Sequence, residues 1–445
     1  MTHFAIICPA ATGHLNPMFA LGRELQRRGH RVTFIGVLDA QATTLAAGLE
    51  FRAIAESEYP LGAMPNFFAQ LGELSGLPAL RYAFSDFQQW NAALLRDALA
   101  AIREAGVEAL LVDQVIPVRE TLAEFLDIPW IEVCNALITN PEDTIPPFFT
   151  TWSYNPAGWA RLRNLAAYHL FSRIAGPIEK VNQQYRRQWK LPLHSSSNER
   201  FSPLAIVSQQ PAEFEFPRQT LPDYFHFTGP YHESTEWVPV DFPYEKLTGQ
   251  PLIYASMGTL QNRQQKVFQC IAESCVGLDA QLVISLGRSG SSESLQGLPG
   301  DPLVVEYAPQ LELLKKATLT ITHAGMNTTL GCLTNGVPMV AIPIAHEQPG
   351  IAARIAWTGA GEFVPLSRLS VPRLRGAIQR VLTQESYRKN ATRLQEAIRR
   401  AGGVSRAADI IEQAVSTGKP VLAQESIFTE PINSDALRRK KVNAS

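Results

Sequence analysis

The sequence predicts an α/β protein made of two successive parallel-sheet halves, and three observations carry that reading. The chain opens as strand, loop, helix, strand: an apolar run at residues 4–8, a loop to His14, a helix stopping at Gly29 and a second strand at residues 31–35. Such a βαβ unit builds parallel sheets. A polar, proline-punctuated stretch at residues 229–250 reads as a linker, and strand–helix alternation restarts after it at residues 251–255. The length of 445 residues suits two domains.

Each half is then filled in. Asn16 is read as the first helix's cap and Pro17 as its first helical residue. A strand at residues 109–112 ends at Asp113, followed by a short helix at 121–126 and a strand at 130–133. The aromatic-rich segments around residues 59–90 and 148–171 are read as irregular insertions. In the second half, strands are expected at residues 282–286, 303–306, 319–322 and 339–342. The polar tail, residues 419–445, ends in a basic run.

Composition narrows the class. A net charge of -1 gives no reason to expect nucleic acid or an anionic membrane as main partner, although a basic groove can hide inside a neutral average. The five cysteines are scattered without a CxxC pair, which suits a reducing cytoplasm. No signal-peptide pattern opens the chain and no run is long and apolar enough to span a bilayer, so a soluble cytoplasmic protein is expected. No His, Asp or Glu cluster has metal-ligand spacing.

Two places carry chemistry. In residues 322–329 a strand ends at Thr322, Gly325 permits a tight turn, and Asn327, Thr328 and Thr329 crowd a helix start. Open N–H groups and the positive dipole end there suit a phosphate, and His323 adds a side-chain donor. By itself the segment fits equally well a capped turn that binds nothing. The second place is His14, at the first strand-to-helix turn. It fits a general base that takes a hydroxyl proton, and a helix N-terminus should keep it neutral. Asp113, at the end of another parallel strand, is the carboxylate that would orient it. A loop histidine and a helix cap are the plainer readings of these two.

The flanks of the first segment decide its meaning. Tyr307-Ala308-Pro309-Gln310, His323-Ala324-Gly325-Met326-Asn327-Thr328, Gly336-Val337-Pro338 and Glu347-Gln348 follow one another in fewer than fifty residues. Together they resemble the nucleotide-sugar signature of the family 1 (UGT-type) glycosyltransferases, which have the GT-B fold of two Rossmann-like domains facing a central cleft. The resemblance covers nearly the whole chain. Glu347-Gln348-Pro349-Gly350-Ile351-Ala352 and the opening His3-Phe4-Ala5-Ile6 are similar to the zeaxanthin glucosyltransferase branch.

The resemblance implies an acceptor-binding domain at residues 1–228, the linker at 229–250, a nucleotide-sugar domain at 251–405 and a helix at 406–418 that packs back on the first domain. It implies that Tyr307 stacks on the base, Ala308 bonds it through its backbone and Gln310 faces the ribose. His323, Gly325, Asn327 and Thr328 would hold the diphosphate with Gly258 and Thr259. Glu347 and Gln348 would bond the sugar hydroxyls in a pattern that suits glucose. His14 and Asp113 stand at the family's catalytic positions. The reaction implied is inverting, metal-independent transfer from UDP-glucose to a hydroxyl of an apolar small molecule such as a carotenoid, terpenoid or phenolic, with no other cofactor and at most peripheral membrane contact. Aromatic residues available for that acceptor are Phe67, Phe68, Tyr82, Phe84, Phe87, Trp90, Trp152 and Phe171, residue types equally suited to a core.

The sequence departs from the family twice. Tyr307 replaces the usual Trp, and Gly331 replaces a Glu that grips the ribose hydroxyls, a loss of about 1.5–3 kcal/mol. A dTDP-sugar loses less from that gap and is an alternative donor. A nucleotide-sugar-binding protein without transferase activity is a second reading. A dinucleotide oxidoreductase is disfavoured, because residues 9–13 lack GxGxxG.

Overall fold

The protein is described by a computed structural model covering residues 1–73, 76–194, 197–232, 240–258, 265–287 and 297–423. The first half contributes strands β1 His3–Ile7, β2 Arg31–Gly36, β3 Glu50–Ala53, β4 Ala109–Asp113, β5 Trp130–Cys134, β6 Ile206–Ser208 and β7 Phe225–Phe227. They form one parallel sheet in the order β3-β2-β1-β4-β5-β6-β7. Its helices are α1 Thr12–Arg27, α2 Gln41–Ala46, α3 Ala63–Glu73, α4 Gly76–Ala105, α5 Arg119–Leu126 and α6 Gly158–Gln188.

The second half repeats the scheme with β8 Leu252–Ser256, β9 Gln281–Ser285, β10 Leu303–Val305, β11 Ala317–Thr322, β12 Met339–Ala341 and β13 Gly361–Phe363. Its parallel order is β10-β9-β8-β11-β12-β13. Helices α7 Gln265–Cys275, α8 Gln310–Leu314, α9 Met326–Thr334, α10 Gln348–Thr358, α11 Val371–Thr383, α12 Glu385–Ala401 and α13 Gly403–Thr417 complete the chain. These are the two Rossmann-like domains of a GT-B fold. Strands buried on both faces read as unbroken apolar runs, which is why Phe4, Ala5, Ile6 and Ile7 are all inaccessible.

Both sheets reverse their strand order beside the first strand of the half: between β1 and β4, and between β8 and β11. Ligands of open parallel sheets bind outside the carboxyl ends of the strands at such a switch point. His14 and Asp113 follow β1 and end β4; Gly258 and His323 follow β8 and β11.

The last helix, α13, belongs to the core of the first half. Ala407, Ala408, Ile410, Ile411 and Ala414 pack with Phe4, Met18 and Leu21. Arg28 reaches Asp409 at 2.7 Å and Glu412 at 2.6 Å. The two halves also meet along α10. Gly350 donates its N–H to the Phe148 carbonyl at 2.9 Å, and a side chain at 350 would collide with that carbonyl. One turn on, buried Arg354 pairs with buried Glu215 of the first half and lies 4.3 Å from the Phe216 ring.

Two expectations are corrected. The segment around residues 59–90 is mostly helical, containing α3 and most of the 30-residue α4, while the one around 148–171 is irregular only as far as the start of the 31-residue α6 at Gly158. The first helix begins at Thr12, so Asn16 is not its cap and Pro17 lies inside it. Parts of the linker and tail fall at residues 233–239 and 424–445, outside the described residues.

Candidate active site

The first switch point holds a histidine–carboxylate pair. His14 stands in the first turn of α1, and its Nδ1 lies 2.7 Å from Oδ2 of Asp113. Asp113 is fully buried, and its carboxylate accepts two further hydrogen bonds: from Asn135 Nδ2 at 2.7 Å and from the Val115 N–H at 3.0 Å. A carboxylate partner accepts from Nδ1–H, so Nε2 is left as the lone-pair nitrogen of the neutral ring. Burial alone would lower the His14 pKa. The charge and hydrogen bond of Asp113, with the more distant charge of Glu347, outweigh burial and raise it above the ordinary 6.5. The net shift is therefore upward, opposite to the lowering expected of a helix N-terminus.

The second switch point is a cradle around His323. The chain leaves β11 at Thr322, whose hydroxyl accepts the Ala324 N–H at 3.2 Å. Ala324 takes a left-handed φ of 66°, and Gly325 caps α9 without a side-chain bond, so the first N–H groups of that helix stay open. His323 packs its ring over Gly258 and Gly325. A Cβ at Gly258 would sit 2.7 Å from the imidazole, and one at Gly325 would collide with it. Burial pushes the His323 pKa down to about 4, which keeps the ring neutral at pH 7. Its Nδ1 is buried with no partner among the described residues. Thr259 lies outside those residues.

The remaining signature residues surround this cradle. Thr328 donates its hydroxyl to Gln310 Oε1 at 3.3 Å, and Ala308 is buried beside the half-buried Tyr307. Gln348 accepts the Ile344 and Ala345 N–H groups on Oε1 at 2.8 and 3.0 Å, so its amide nitrogen is the end left for a ligand. The charge of Glu347 is near enough to both His14 and His323 to push the pKa of each upward. Gly331 packs toward Leu314, where a Cβ would come to 3.0 Å.

One contact ties the two switch points together. Pro17 has no N–H, so the Gly13 carbonyl one turn before it lacks its helical donor. Asn327 of α9 supplies that donor across the cleft through Nδ2 at 3.0 Å. The same amide accepts from Gln209 Nε2 at 3.0 Å. Gln209 also donates to the Asn135 carbonyl, and Asn135 holds Asp113. Asn135 and Gln209 were not anticipated. They follow β5 and β6 and belong to no local pattern; their only signal is a polar residue just past an apolar strand.

The aromatic candidates divide. Trp90 is core, edge-on to Tyr59 at 5.7 Å, and Trp152 carries the Arg163 guanidinium. Phe67 stacks on Tyr82 and touches Phe68 at the α3–α4 side, and Phe87 is half-buried. Phe84 and Phe171 meet at 6.4 Å and join two residues not anticipated, Phe148 and Phe149. This group adjoins α10 through the Phe148–Gly350 bond, near Glu347 and Gln348. Among the described residues no group of three or more His, Cys, Asp or Glu side chains is arranged to hold a metal ion.

Comparison with known proteins identifies the family. Residues 83–400 fit the family described as UDP-glucoronosyl and UDP-glucosyl transferase. A zeaxanthin glucosyltransferase of Pantoea ananas is 32% identical over 432 residues, 96% of this chain and 100% of that protein. Another, from Pseudescherichia vulneris, is 29% identical over 95% of this chain and 100% of its own. The crystal structure of the glycotransferase of kitacinnamycin superposes with a TM-score of 0.73 at 23% identity, covering 93% of this chain and 99% of that one, which bears on the fold. The chain belongs to the UDP-glucoronosyl and UDP-glucosyl transferase family and is a glycosyltransferase.

Proposed function

We propose that this enzyme transfers glucose from UDP-glucose to a hydroxyl of an apolar small molecule, with inversion and without a metal. The observation that carries the proposal is the pairing of His14 with Asp113 at one switch point, facing a neutral His323 and an open helix start at the other. His14 Nε2 removes the acceptor's hydroxyl proton as that oxygen forms a bond to the anomeric carbon. The bond from that carbon to the β-phosphate oxygen breaks, and its electron pair leaves with UDP. The new positive charge on His14 is held by Asp113. The charge on the diphosphate is met by the N–H groups of α9 and a neutral donor from His323. In-line attack from the opposite face inverts the anomeric centre.

The two relatives named above are zeaxanthin glucosyltransferases, and the Phe84, Phe148, Phe149 and Phe171 group supports an apolar acceptor of that kind. The experiment is incubation with UDP-glucose, with and without hydroxylated carotenoids, terpenoids and phenolics, in the presence of a chelator. Acceptor-dependent UDP release with a β-linked product supports the reading. Release only when metal is restored, or an α-linked product, would overturn it.

Gly331 supports a second donor reading. It carries no side chain to grip a 2′-hydroxyl, and Leu314 fills the neighbouring space. Competition between UDP and dTDP for the free enzyme decides it: comparable affinities favour a deoxynucleotide-tolerant site, and a strong UDP preference rejects it.

A further inference from the structure

Helix α6 carries a surface that the reaction does not use. It holds six Arg or Lys residues against a single Glu, in a chain of net charge -1. That Glu179 is taken by Arg200 at 2.6 Å. The face turned to the first half is marked by buried Ala160, Asn164, Ile178, Asn182 and Arg186. On the opposite face, at helical spacing, stand Trp159, Leu162 and Leu170, which are 62%, 70% and 61% exposed. Exposed Arg173, Lys180 and Arg187 continue the same stripe, and none has a carboxylate partner among the described residues. Beside Trp159, the Arg163 guanidinium lies 5.3 Å from the ring.

Exposed Trp and Leu backed by unpaired cations is the composition of a helix that lies in a lipid–water interface. No described helix is long and apolar enough to cross a membrane. We propose that the outer face of α6 docks on an anionic lipid bilayer, with Trp159, Leu162 and Leu170 entering the headgroup boundary and Arg173 and Lys180 meeting lipid phosphates. The same helix carries Phe171 on the aromatic group that adjoins α10. Phe171 lies on the inner face of α6, so docking of the outer face brings the enzyme, and not that aromatic group itself, against the bilayer.

Vesicle flotation tests the docking without donor or acceptor, so its outcome is separate from that of the transfer assay. Wild-type enzyme should float with phosphatidylcholine–phosphatidylglycerol vesicles and far less with phosphatidylcholine alone, and added salt should weaken binding. Trp159→Ser/Leu162→Gln/Leu170→Gln should stay in solution while keeping transfer to a water-soluble phenolic. Arg173→Gln/Lys180→Gln should lose the preference for anionic vesicles by more than about tenfold. Absence of wild-type binding, or equal flotation of the wild type and the triple variant, would overturn the proposal. So would a solution dimer that the triple variant dissolves, since a second copy would then cover this face.

Discussion

The two switch points share an architecture and differ in what partners the histidine, and the difference sets their chemistry. Each places a half-buried histidine at a strand-to-helix turn at the centre of a parallel sheet. His14 has Asp113 within 2.7 Å, and its pKa is raised. His323 has two glycines against its ring and no carboxylate bonded to it, and burial, outweighing the Ser256 backbone and the Glu347 charge, takes it to about 4. A carboxylate under an imidazole makes a proton acceptor that can hold the charge it acquires. A histidine without a bonded carboxylate makes a neutral donor that does not compete for protons with a bound diphosphate.

The largest effect should come from removing the acceptor. His14→Ala is expected to lower transfer by roughly 10²–10⁴-fold while leaving UDP binding by calorimetry unchanged. Near-normal transfer would erase the distinction between the two histidines. His323→Ala should act on binding: the loss of a hydrogen bond to a charged group weakens UDP by about ten- to a hundredfold. Unchanged affinity would take His323 out of the cradle. Gln209→Ala leaves both sites intact but loosens the bridge through Asn327. A modest net hydrogen-bond loss predicts a two- to tenfold lower kcat, roughly, with UDP affinity preserved. If affinity fell instead, Asn327 would be serving the nucleotide and not the alignment of the halves.

Much of this was legible in the sequence because it is local. The apolar runs at β1, β4, β8 and β11 mark the central strands, and the residues from Tyr307 to Gln348 lie within one stretch of chain. What escaped is non-local. The helix propensities around Asn16 and Pro17 favour a start there, yet α1 begins at Thr12. The bond that proline removes is replaced by Asn327 from the other half, a compensation no local window contains. Asn135, Gln209 and the Glu215–Arg354 pair are single polar residues whose partners lie across a sheet or a domain boundary. The charge of α6 vanished into a neutral average, although its residues were in view.

Whether Asp113 sets the basicity of His14 is open to one direct measurement: the pH dependence of kcat/KM for transfer in the wild type and in Asp113→Asn. The base must be unprotonated to act, and its pKa is raised by the Asp113 charge, so activity should fall on the acid side with a midpoint above 6.5. Removing the charge leaves burial as the main influence, so in Asp113→Asn the rate should drop and the midpoint should move to lower pH. An unmoved midpoint, or one that moves up, would contradict the assignment of this pair as the proton acceptor.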